Sequence, residues 1–199
     1  MDVLAIIGSK RSKGNTAVLT SEVAKGVMSE GHDCTNVFLD DYEIEGCNGC
    51  ESCADSWRCV VEDGMTELYP LIYNADALIL GSPTYFYTVS ADMKAFLERL
   101  YCMFRFHKED RSVWTNYNEI HGTKHAVTVS VCEQQRPEDM GSTAEVMRKS
   151  LQSLGYRVVD EVKAYGLFGE GEATADHDAM GRAFLAGTRL GKILNLRSL

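Results

Sequence analysis

The first sixteen residues constrain the fold of this 199-residue chain more than any other stretch. Residues 3–7, VLAII, form a continuous apolar run, which is typical of a strand buried on both faces of a parallel sheet. Gly8 and Ser9 end this strand, a loop of small and polar residues follows, and a helical pattern starts at Asn15 and Thr16. Loop N–H groups and the positive end of a helix dipole both attract anions. The stretch therefore predicts a phosphate-binding site.

The composition of this loop narrows the class of phosphate ligand. A nucleoside-triphosphate P-loop needs a lysine directly after its last glycine, but Gly14 is followed by Asn15. A dinucleotide-binding loop needs a second glycine where this chain has Lys10. Hydroxyl, amide and loop N–H donors suit a single phosphate, and FMN is a common ligand of that kind. A hydrophilic strand-to-helix turn without a ligand is the alternative. The candidate cofactor-binding residues are Ser9, Arg11, Ser12, Gly14, Asn15 and Thr16.

A second candidate binding loop covers residues 81–88, with the sequence GSPTYFYT. Three consecutive aromatic residues, 85–87, are expected at the mouth of the site, and Pro83 stiffens the turn. A flavin ring is flat and largely apolar with a polar edge, so aromatic faces and loop amides suit it. A tyrosine-rich surface loop or a subunit contact is the alternative. From this loop and the end of the fourth predicted strand, the candidate cofactor-binding residues are Pro83, Thr84, Tyr85, Phe86 and Cys132.

Four cysteines form a compact pattern of candidate metal ligands, Cys47-x2-Cys50-x2-Cys53-x5-Cys59. Three cysteines at this spacing can wrap one face of an iron–sulfur cubane, and the fourth can close it. Zinc also accepts four thiolates, but its knuckles usually come as two pairs far apart in sequence. A 4Fe-4S cluster, redox-active or plain thiols, and zinc therefore all remain open as interpretations of this loop.

The written pattern of the first loop, G-S-x-R-x-x-G-N-T, resembles the start of the NAD(P)H-dependent FMN reductases, a family of flavodoxin-like proteins. This resemblance implies that the FMN phosphate is held by Ser9, Arg11, Asn15 and Thr16. Residues 90–100, SADMKAFLERL, resemble the family's helix that packs against the phosphate loop and a partner subunit. We expect Lys94 and Arg99 of this helix to be solvated charges, with an interface contact as the alternative.

The cysteine spacing resembles that of the iron-sulfur flavoproteins, the cluster-carrying branch of the same family. This resemblance implies a 4Fe-4S cluster on Cys47, Cys50, Cys53 and Cys59. It also implies a homo-oligomer, a dimer or a tetramer, in which the cluster passes electrons to the FMN of a neighbouring subunit.

Strand and helix patterns alternate along the rest of the chain. Strands are predicted at residues 3–7, 32–39, 77–81, 125–131 and 156–164, and helices at 16–31, 64–75, 90–104, 142–154 and 176–194. This alternation predicts an α/β, flavodoxin-like doubly wound parallel sheet of five strands, order 2-1-3-4-5, with helices on both faces. Ligands of such sheets bind where the strand order reverses, so the loops after Ile7, Gly81 and Val131 are expected to converge. A single domain, residues 1–199, is predicted, with a cysteine-loop excursion at 40–63 and an irregular excursion at 105–122.

Composition limits the classes of partner. The formal net charge of −9 argues against nucleic acid and anionic membrane surfaces as main partners. There is no apolar run of about 18 residues that would predict a membrane span, and the start lacks a leader pattern, so we expect a cytoplasmic location. In that reducing compartment, the seven cysteines are expected to have metal, redox or core roles rather than to form disulfides.

Together these patterns predict an FMN-dependent oxidoreductase. It would move electrons between NAD(P)H or a reduced ferredoxin-like carrier, FMN and a 4Fe-4S cluster, to an unidentified acceptor. The flavin performs the chemistry, so no catalytic side chain is predicted. The alternatives are a cluster-free NAD(P)H-dependent FMN or quinone-type reductase, and a pure electron-transfer carrier whose acidic surface docks a basic redox partner. A non-enzymatic domain, whose cysteines hold zinc or sense oxidants, is a further alternative.

Overall fold

The computed structural model describes residues 1–197. Its strands are β1 (Asp2–Ile7), β2 (Asp33–Phe38), β3 (Ala77–Tyr85), β4 (Thr88–Val89), β5 (Phe104–Phe106), β6 (Trp114–Asn116), β7 (Lys124–Val131) and β8 (Tyr156–Ala164). Its α-helices are α1 (Asn15–Met28), α2 (Met65–Asn74), α3 (Ala91–Arg99), α4 (Tyr117–His121), α5 (Thr143–Ser153) and α6 (His177–Arg197). Among these helices, none is both long enough and apolar enough to cross a membrane.

The main sheet has the strand order β2-β1-β3-β7-β8, and each neighbouring pair is parallel. This order confirms the predicted α/β doubly wound fold. The apolar runs at 3–7 and 77–80 are almost completely buried because helices cover both faces of the central strands. The order reverses between β1 and β3, so the loops that follow β1, β3 and β7 meet at the carboxyl edge of the sheet.

Two layers of helices cover the faces of the sheet. Helices α2, α3 and α5 pack on one face of the sheet, through side chains such as Ile72 and Phe96. Helices α1 and α6 pack on the other face, where Leu190 belongs to the core. They approach so closely that a Cβ on Gly187 would lie 1.9 Å from the carbonyl oxygen of Val23. As a result, the loop before α6 lies beside the start of α1.

Strand β3 is longer than the sequence indicated. It continues past Gly81 through residues 82–85, turns at Phe86 and Tyr87, and returns as β4. Both turn residues have left-handed backbone conformations, with φ values of 47° and 64°. The carbonyl oxygen of Tyr87 accepts hydrogen bonds from the N–H (2.7 Å) and the hydroxyl (3.0 Å) of Ser142. The aromatic loop is therefore a tight hairpin fixed by the residue that precedes α5.

The helix predicted over residues 90–104 ends at Arg99 and continues as a 3-10 turn, Leu100–Met103. The segment predicted to be irregular contains the β5–β6 hairpin and α4, whose first turn carries a reciprocal cap between Asn116 and Glu119. The division into one domain with excursions at 40–63 and 105–122 stays a prediction.

Candidate functional site

Four loops at the carboxyl edge of the sheet surround one cavity. They are the β1–α1 loop, the end of β3, the residues after β7 and the loop before α6. The cavity is lined by Ser9, Arg11, Gly14, Asn15, Thr16, Pro83, Thr84, Tyr85, Val131, Glu133, Leu167 and Phe168. The convergence that the strand order predicted is therefore present, with a fourth loop added to it.

The β1–α1 loop is a tight turn beside this cavity, held by its own hydrogen bonds. The N–H of Gly14 donates to the carbonyl oxygen of Arg11 (2.9 Å), and the N–H of Arg11 donates to Ser9 Oγ (3.3 Å). A Cβ on Gly14 would lie 2.8 Å from the Cβ of Arg11, so this tight turn requires glycine. Helix α1 has no side-chain cap and no acidic residue in its first turn. Its first N–H groups and its positive dipole end are therefore available to an anion.

Two of the predicted phosphate ligands contact the loop before α6. Asn15 Nδ2 donates to the carbonyl oxygen of Gly169 (2.8 Å), and Asn15 Oδ1 accepts from the N–H of Ala173 (2.9 Å). Arg11 Nη1 donates to the carbonyl oxygen of Phe168 (3.2 Å). Both polar ends of the Asn15 side chain are thus used to hold another segment of the chain against the β1–α1 loop.

The end of β3 gives the cavity an apolar wall and an unpaired hydroxyl. Pro83 and Tyr85 form part of the lining, and Tyr85 is about half exposed. Thr84 Oγ1 is buried and has no hydrogen-bond partner within residues 1–197. Leaving a buried hydroxyl unpaired is costly, so the polar edge of a ligand is the expected partner. An apolar wall beside a polar group fits a flavin ring.

Three of the candidate residues lie outside the lining of the cavity. Ser12 is exposed in the β1–α1 loop, and Phe86 is 98% exposed at the tip of the β3–β4 hairpin. Cys132 is buried against Met140 and Ala144. The assignment of these three residues to cofactor binding stays a prediction.

Four lining residues were not among the candidate cofactor-binding residues. Val131 and Glu133 line the cavity on either side of Cys132, because alternate residues of an extended chain point in opposite directions. Leu167 and Phe168 come from a glycine-rich segment that the sequence marked only as a loop. This segment reaches the site because α6, which follows it, packs on α1.

An open groove continues from the cavity, and Glu133 and Phe168 line both. The rest of the groove is lined by Tyr87, Gln134, Gln135, Arg136, Asp139 and Gly166. Arg136 makes a two-point ion pair with Asp139, at 3.0 and 3.1 Å. The groove provides space for a second molecule next to whatever occupies the cavity.

The four loop cysteines surround a second, narrower cavity, together with Arg99 and Tyr101. The cysteines that line it are Cys47, Cys50, Cys53 and Cys59. The first two are exposed and the last two are half-buried. Within the described residues, no group of three or more cysteine, histidine or carboxylate side chains is arranged to hold a metal ion. The structure gathers the four thiols at one cavity but does not close them into a metal centre.

The pKa shifts of these thiols indicate the charge of a group that would bind all four. Burial raises the pKa of Cys53, and the neighbouring thiols of Cys102, Cys59 and Cys47 raise it further. Hydrogen bonds from Ser52 lower the pKa of Cys50. Because each thiolate disfavours the next, four thiolates in one place need a positive partner. The donor set therefore fits an iron–sulfur cluster chemically.

A buried arginine connects the two ends of the cysteine loop. Arg99, at the end of α3, is 1% exposed. Its Nη1 donates to the carbonyl oxygen of Glu45 (3.0 Å) and pairs with Asp63, and its Nη2 donates to the carbonyl oxygen of Val61 (3.1 Å). The expectation that Arg99 is a solvated charge is wrong, because the cysteine loop folds back over this part of α3.

Comparison with known proteins gives a match to one family. The family described as NADPH-dependent FMN reductase matches residues 1–165. An iron-sulfur flavoprotein of Methanocaldococcus jannaschii is 37% identical over 99 residues, which are 50% of this chain and 51% of that protein. An iron-sulfur flavoprotein of Archaeoglobus fulgidus is 35% identical over 100 residues, 50% of this chain and 46% of that protein. The chain thus matches about half the length of these curated relatives.

Solved structures of low sequence identity share the fold. An NAD(P)H:quinone oxidoreductase from Methanothermobacter marburgensis superimposes with a TM-score of 0.71 at 18% identity, over 96% of this chain and 98% of that chain. A flavodoxin from the domain Archaea has a TM-score of 0.58 at 13% identity, over 98% of this chain and 99% of that chain. An FMN-dependent NADH-azoreductase from Bacillus anthracis, solved with FMN, has a TM-score of 0.67 at 9% identity, over 96% of this chain and 100% of that chain. These similarities show a flavodoxin-like fold.

Proposed function

The chain belongs to the NADPH-dependent FMN reductase family, and on this premise we propose that it is an oxidoreductase that uses FMN. One observation carries the proposal. An uncapped helix N-terminus, basic and hydroxyl side chains and the apolar end of β3 line one cavity at the carboxyl edge of the sheet. Doubly wound sheets bind their ligands at this edge. The description of the family and the names of the relatives support the same cofactor.

The β1–α1 loop would hold the phosphate of FMN. The first N–H groups of α1 and the hydroxyls of Ser9 and Thr16 would donate to its oxygens, and Arg11 would balance its charge. Gly14 permits the tight turn of this loop, because a Cβ there would meet the Cβ of Arg11. Asn15 would contribute by holding the loop in place, since its side chain is bonded to the segment before α6.

The end of β3 would hold the flavin ring. Pro83 and Tyr85 supply apolar contact, and Thr84 Oγ1 would gain the partner that it lacks within residues 1–197. Bound FMN supplies the chemistry, since it accepts two electrons as hydride or one at a time. The chain has to bind and orient the ring and limit its contact with water. No side chain has to act as an acid or a base, so none is proposed as catalytic.

The groove beside the cavity would receive the electron donor or acceptor. Tyr87 offers an aromatic face and Arg136 a cation, which suit the ring and the phosphates of NAD(P)H. A reduced ferredoxin-like carrier is the alternative donor. The net charge of −9 would favour any carrier that docks through a basic surface.

For the cysteine loop we propose a 4Fe-4S cluster on Cys47, Cys50, Cys53 and Cys59. The names of the relatives and the shared cavity of the four thiols support it. When bound, such a cluster supplies one-electron transfer. The description of the family names FMN and no cluster, and this favours a second candidate, a cluster-free FMN or quinone-type reductase. A pure electron-transfer carrier and a zinc-holding domain remain alternative outcomes of the test below.

The decisive experiment is anaerobic purification followed by an absorption spectrum, flavin and metal analysis, and assays of NADH and NADPH oxidation. The proposal expects FMN together with about four iron atoms per chain. FMN without iron would support the cluster-free reductase. Flavin that is reduced by a carrier but by neither nucleotide would support the electron-transfer protein. A colourless protein that contains zinc and does not bind added FMN would contradict the proposal.

We also propose that the chain forms a homo-oligomer, a dimer or a tetramer. Tyr85, Phe86 and Tyr87 are 53%, 98% and 62% exposed on one hairpin. Contiguous exposed aromatic side chains are typical of interaction surfaces. A cytoplasmic location stays a prediction.

A further inference from the structure

The segment before α6 is bound to the β1–α1 loop by its backbone. We call residues 167–173 the clasp, and they follow the part of the chain that the family matches. Within the clasp, the carbonyl oxygen of Gly169 accepts from Asn15 Nδ2 at 2.8 Å, and the N–H of Ala173 donates to Asn15 Oδ1 at 2.9 Å. Asn15 and Ala173 are buried, so water competes little for these two hydrogen bonds.

The clasp also supplies a wall of the cavity and a contact for its cation. Leu167 and Phe168 line the cavity. The carbonyl oxygen of Phe168 accepts from Arg11 Nη1 at 3.2 Å, and the Arg11 guanidinium lies 5.8 Å from the centre of the Phe168 ring. The clasp therefore fixes the position of Arg11, which is the cation proposed for the phosphate.

Glu172 keeps the clasp folded. Its Oε2 accepts hydrogen bonds from the N–H groups of Phe168 (3.0 Å) and Gly169 (2.8 Å). A Cβ on Gly169 would lie 2.5 Å from Glu172 Oε1, so the carboxylate packs directly on the backbone. Gly171 completes the bend with a left-handed φ of 76°. Two charge-assisted bonds to consecutive N–H groups thus hold the bend that brings Leu167 and Phe168 to the cavity.

We propose that the clasp retains FMN in the cavity and that Glu172 is its positioning residue. This inference rests on the proposed function, because it requires FMN in the cavity. Glu172 is not one of the lining residues, so its replacement removes no side chain that is proposed to touch FMN. Loss of its two hydrogen bonds frees Leu167 and Phe168 to move away, and the lifetime of bound FMN becomes shorter.

The test measures the release of FMN from the reconstituted chain by the recovery of free-flavin fluorescence after dilution. We expect Glu172→Ala to release FMN about tenfold faster than the wild type, since it loses two hydrogen bonds that are exposed and therefore each worth less than a buried charge-assisted bond. Glu170→Ala is the matched control. Glu170 is an exposed carboxylate of the same loop, and it takes part in none of the hydrogen bonds described above. We expect its release rate to equal that of the wild type.

Two further variants separate the clasp from a general loss of stability. Glu172→Gln keeps an oxygen acceptor and is expected to restore most of the slow release. Phe168→Ala removes only a ring that is 63% exposed, and it is expected to speed release even where Glu172→Ala does not fold.

Equal release rates for the wild type, Glu172→Ala and Phe168→Ala would overturn the proposed role of the clasp. The proposed binding of FMN would not be affected. A lower melting temperature of apo Glu172→Ala with unchanged release would also overturn the proposed role of the clasp. A wild-type chain that binds no FMN would overturn the proposed function and the clasp together.

Discussion

At the scale of single residues, the proposed phosphate site depends on two hydroxyls beside the first turn of α1. Ser9 and Thr16 both line the cavity, and they are only 5% and 3% exposed. Water therefore competes little for them, and a hydrogen bond from either hydroxyl to a phosphate is charge-assisted. Asn15 shows a different use of a polar residue, because its contacts with Gly169 and Ala173 make it part of the support of the site.

Removal of either hydroxyl is expected to weaken FMN binding. Ser9→Ala and Thr16→Val should each raise the Kd for FMN by roughly 10- to 100-fold, because a hydrogen bond to a charged group is worth about 1.5–3 kcal/mol. Titration of the apo-protein by flavin fluorescence measures this change. Ser21→Ala, in the next turn of α1 and in contact with Asn36, is the control and should leave the Kd unchanged. The same Kd for all the variants would contradict the proposed phosphate site.

At the scale of elements, the cysteine loop depends on contacts with the rest of the fold, because it has no helix or strand of its own. Residues 43–63 contain no helix or strand. Arg99 on α3 bonds to Glu45 at one end of this loop and to Val61 and Asp63 at the other. These bonds keep the ends of the loop together, and they also place a buried cation in the wall of the cysteine cavity.

Replacement of this arginine is expected to release the loop. Arg99→Leu should lower the free energy of unfolding by roughly 3 kcal/mol, because it leaves a carboxylate without its buried partner. Urea unfolding measures the loss, and limited proteolysis should show new cleavage within residues 46–62. Lys94→Ala is the matched control on the same helix, since Lys94 pairs with Glu98 at the surface. Its effect on the free energy of unfolding should stay below about 0.5 kcal/mol. An equal loss of stability in both variants would show that Arg99 does not hold the ends of the cysteine loop together.

The ion pair also predicts a pH dependence. Burial raises the pKa of Asp63. Hydrogen bonds from Arg99 and from the N–H groups of Glu45 and Met65 outweigh this effect and hold the pKa below the usual value of an aspartate. A pKa that is lower in the folded chain stabilises the fold fully above the unfolded value. This contribution is lost as the pH falls through the folded value.

Comparison of the wild type with Asp63→Asn tests this dependence. The difference in unfolding free energy between them should be constant above about pH 5 and should shrink below about pH 4, since asparagine does not titrate. Urea unfolding at a series of pH values measures it. A difference that does not change with pH would show that Asp63 has no depressed pKa.

At the scale of the whole molecule, the β3–β4 hairpin connects the cavity to the surface. Tyr85 lines the cavity, whereas Phe86 points into solvent from a left-handed turn that Ser142 holds. A strained turn that exposes a large aromatic side chain costs free energy in an isolated chain. Contact with a second copy of the chain would bury this side chain.

Phe86→Asn is expected to weaken the oligomer. Asparagine tolerates the left-handed conformation, so the turn is kept while the aromatic contact is lost. Size-exclusion chromatography with light scattering should show a shift of mass toward the monomer at micromolar concentration. Leu71→Asn, an exposed apolar position on α2, is the control and should leave the mass unchanged. A wild-type chain that is already monomeric would contradict the proposed homo-oligomer.

Local patterns in the sequence determined the architecture of this protein. The apolar runs at 3–7 and 77–80 became the central strands, and the alternation of strands and helices gave the order β2-β1-β3-β7-β8. The loop from Ser9 to Thr16 was recognisable because its donors and the start of α1 are neighbours along the chain. Burial of consecutive apolar residues and the capping of a helix are local effects, so a single stretch of sequence contains the information for them.

Only the tertiary structure decided which side chains meet. Asn15 contacts a loop 154 residues away, Arg99 is buried by a loop that precedes it, and Phe168 reaches the cavity because α6 packs on α1. Alternation along the extended chain at the end of β7 put Val131 and Glu133 in the lining and Cys132 in the core. Contacts between distant segments depend on how helices and strands pack, and no stretch of sequence contains that geometry by itself. For the same reason, the cysteine spacing left a cluster, free thiols and zinc open as interpretations, and only the packed loop shows that the four thiols line one narrow cavity.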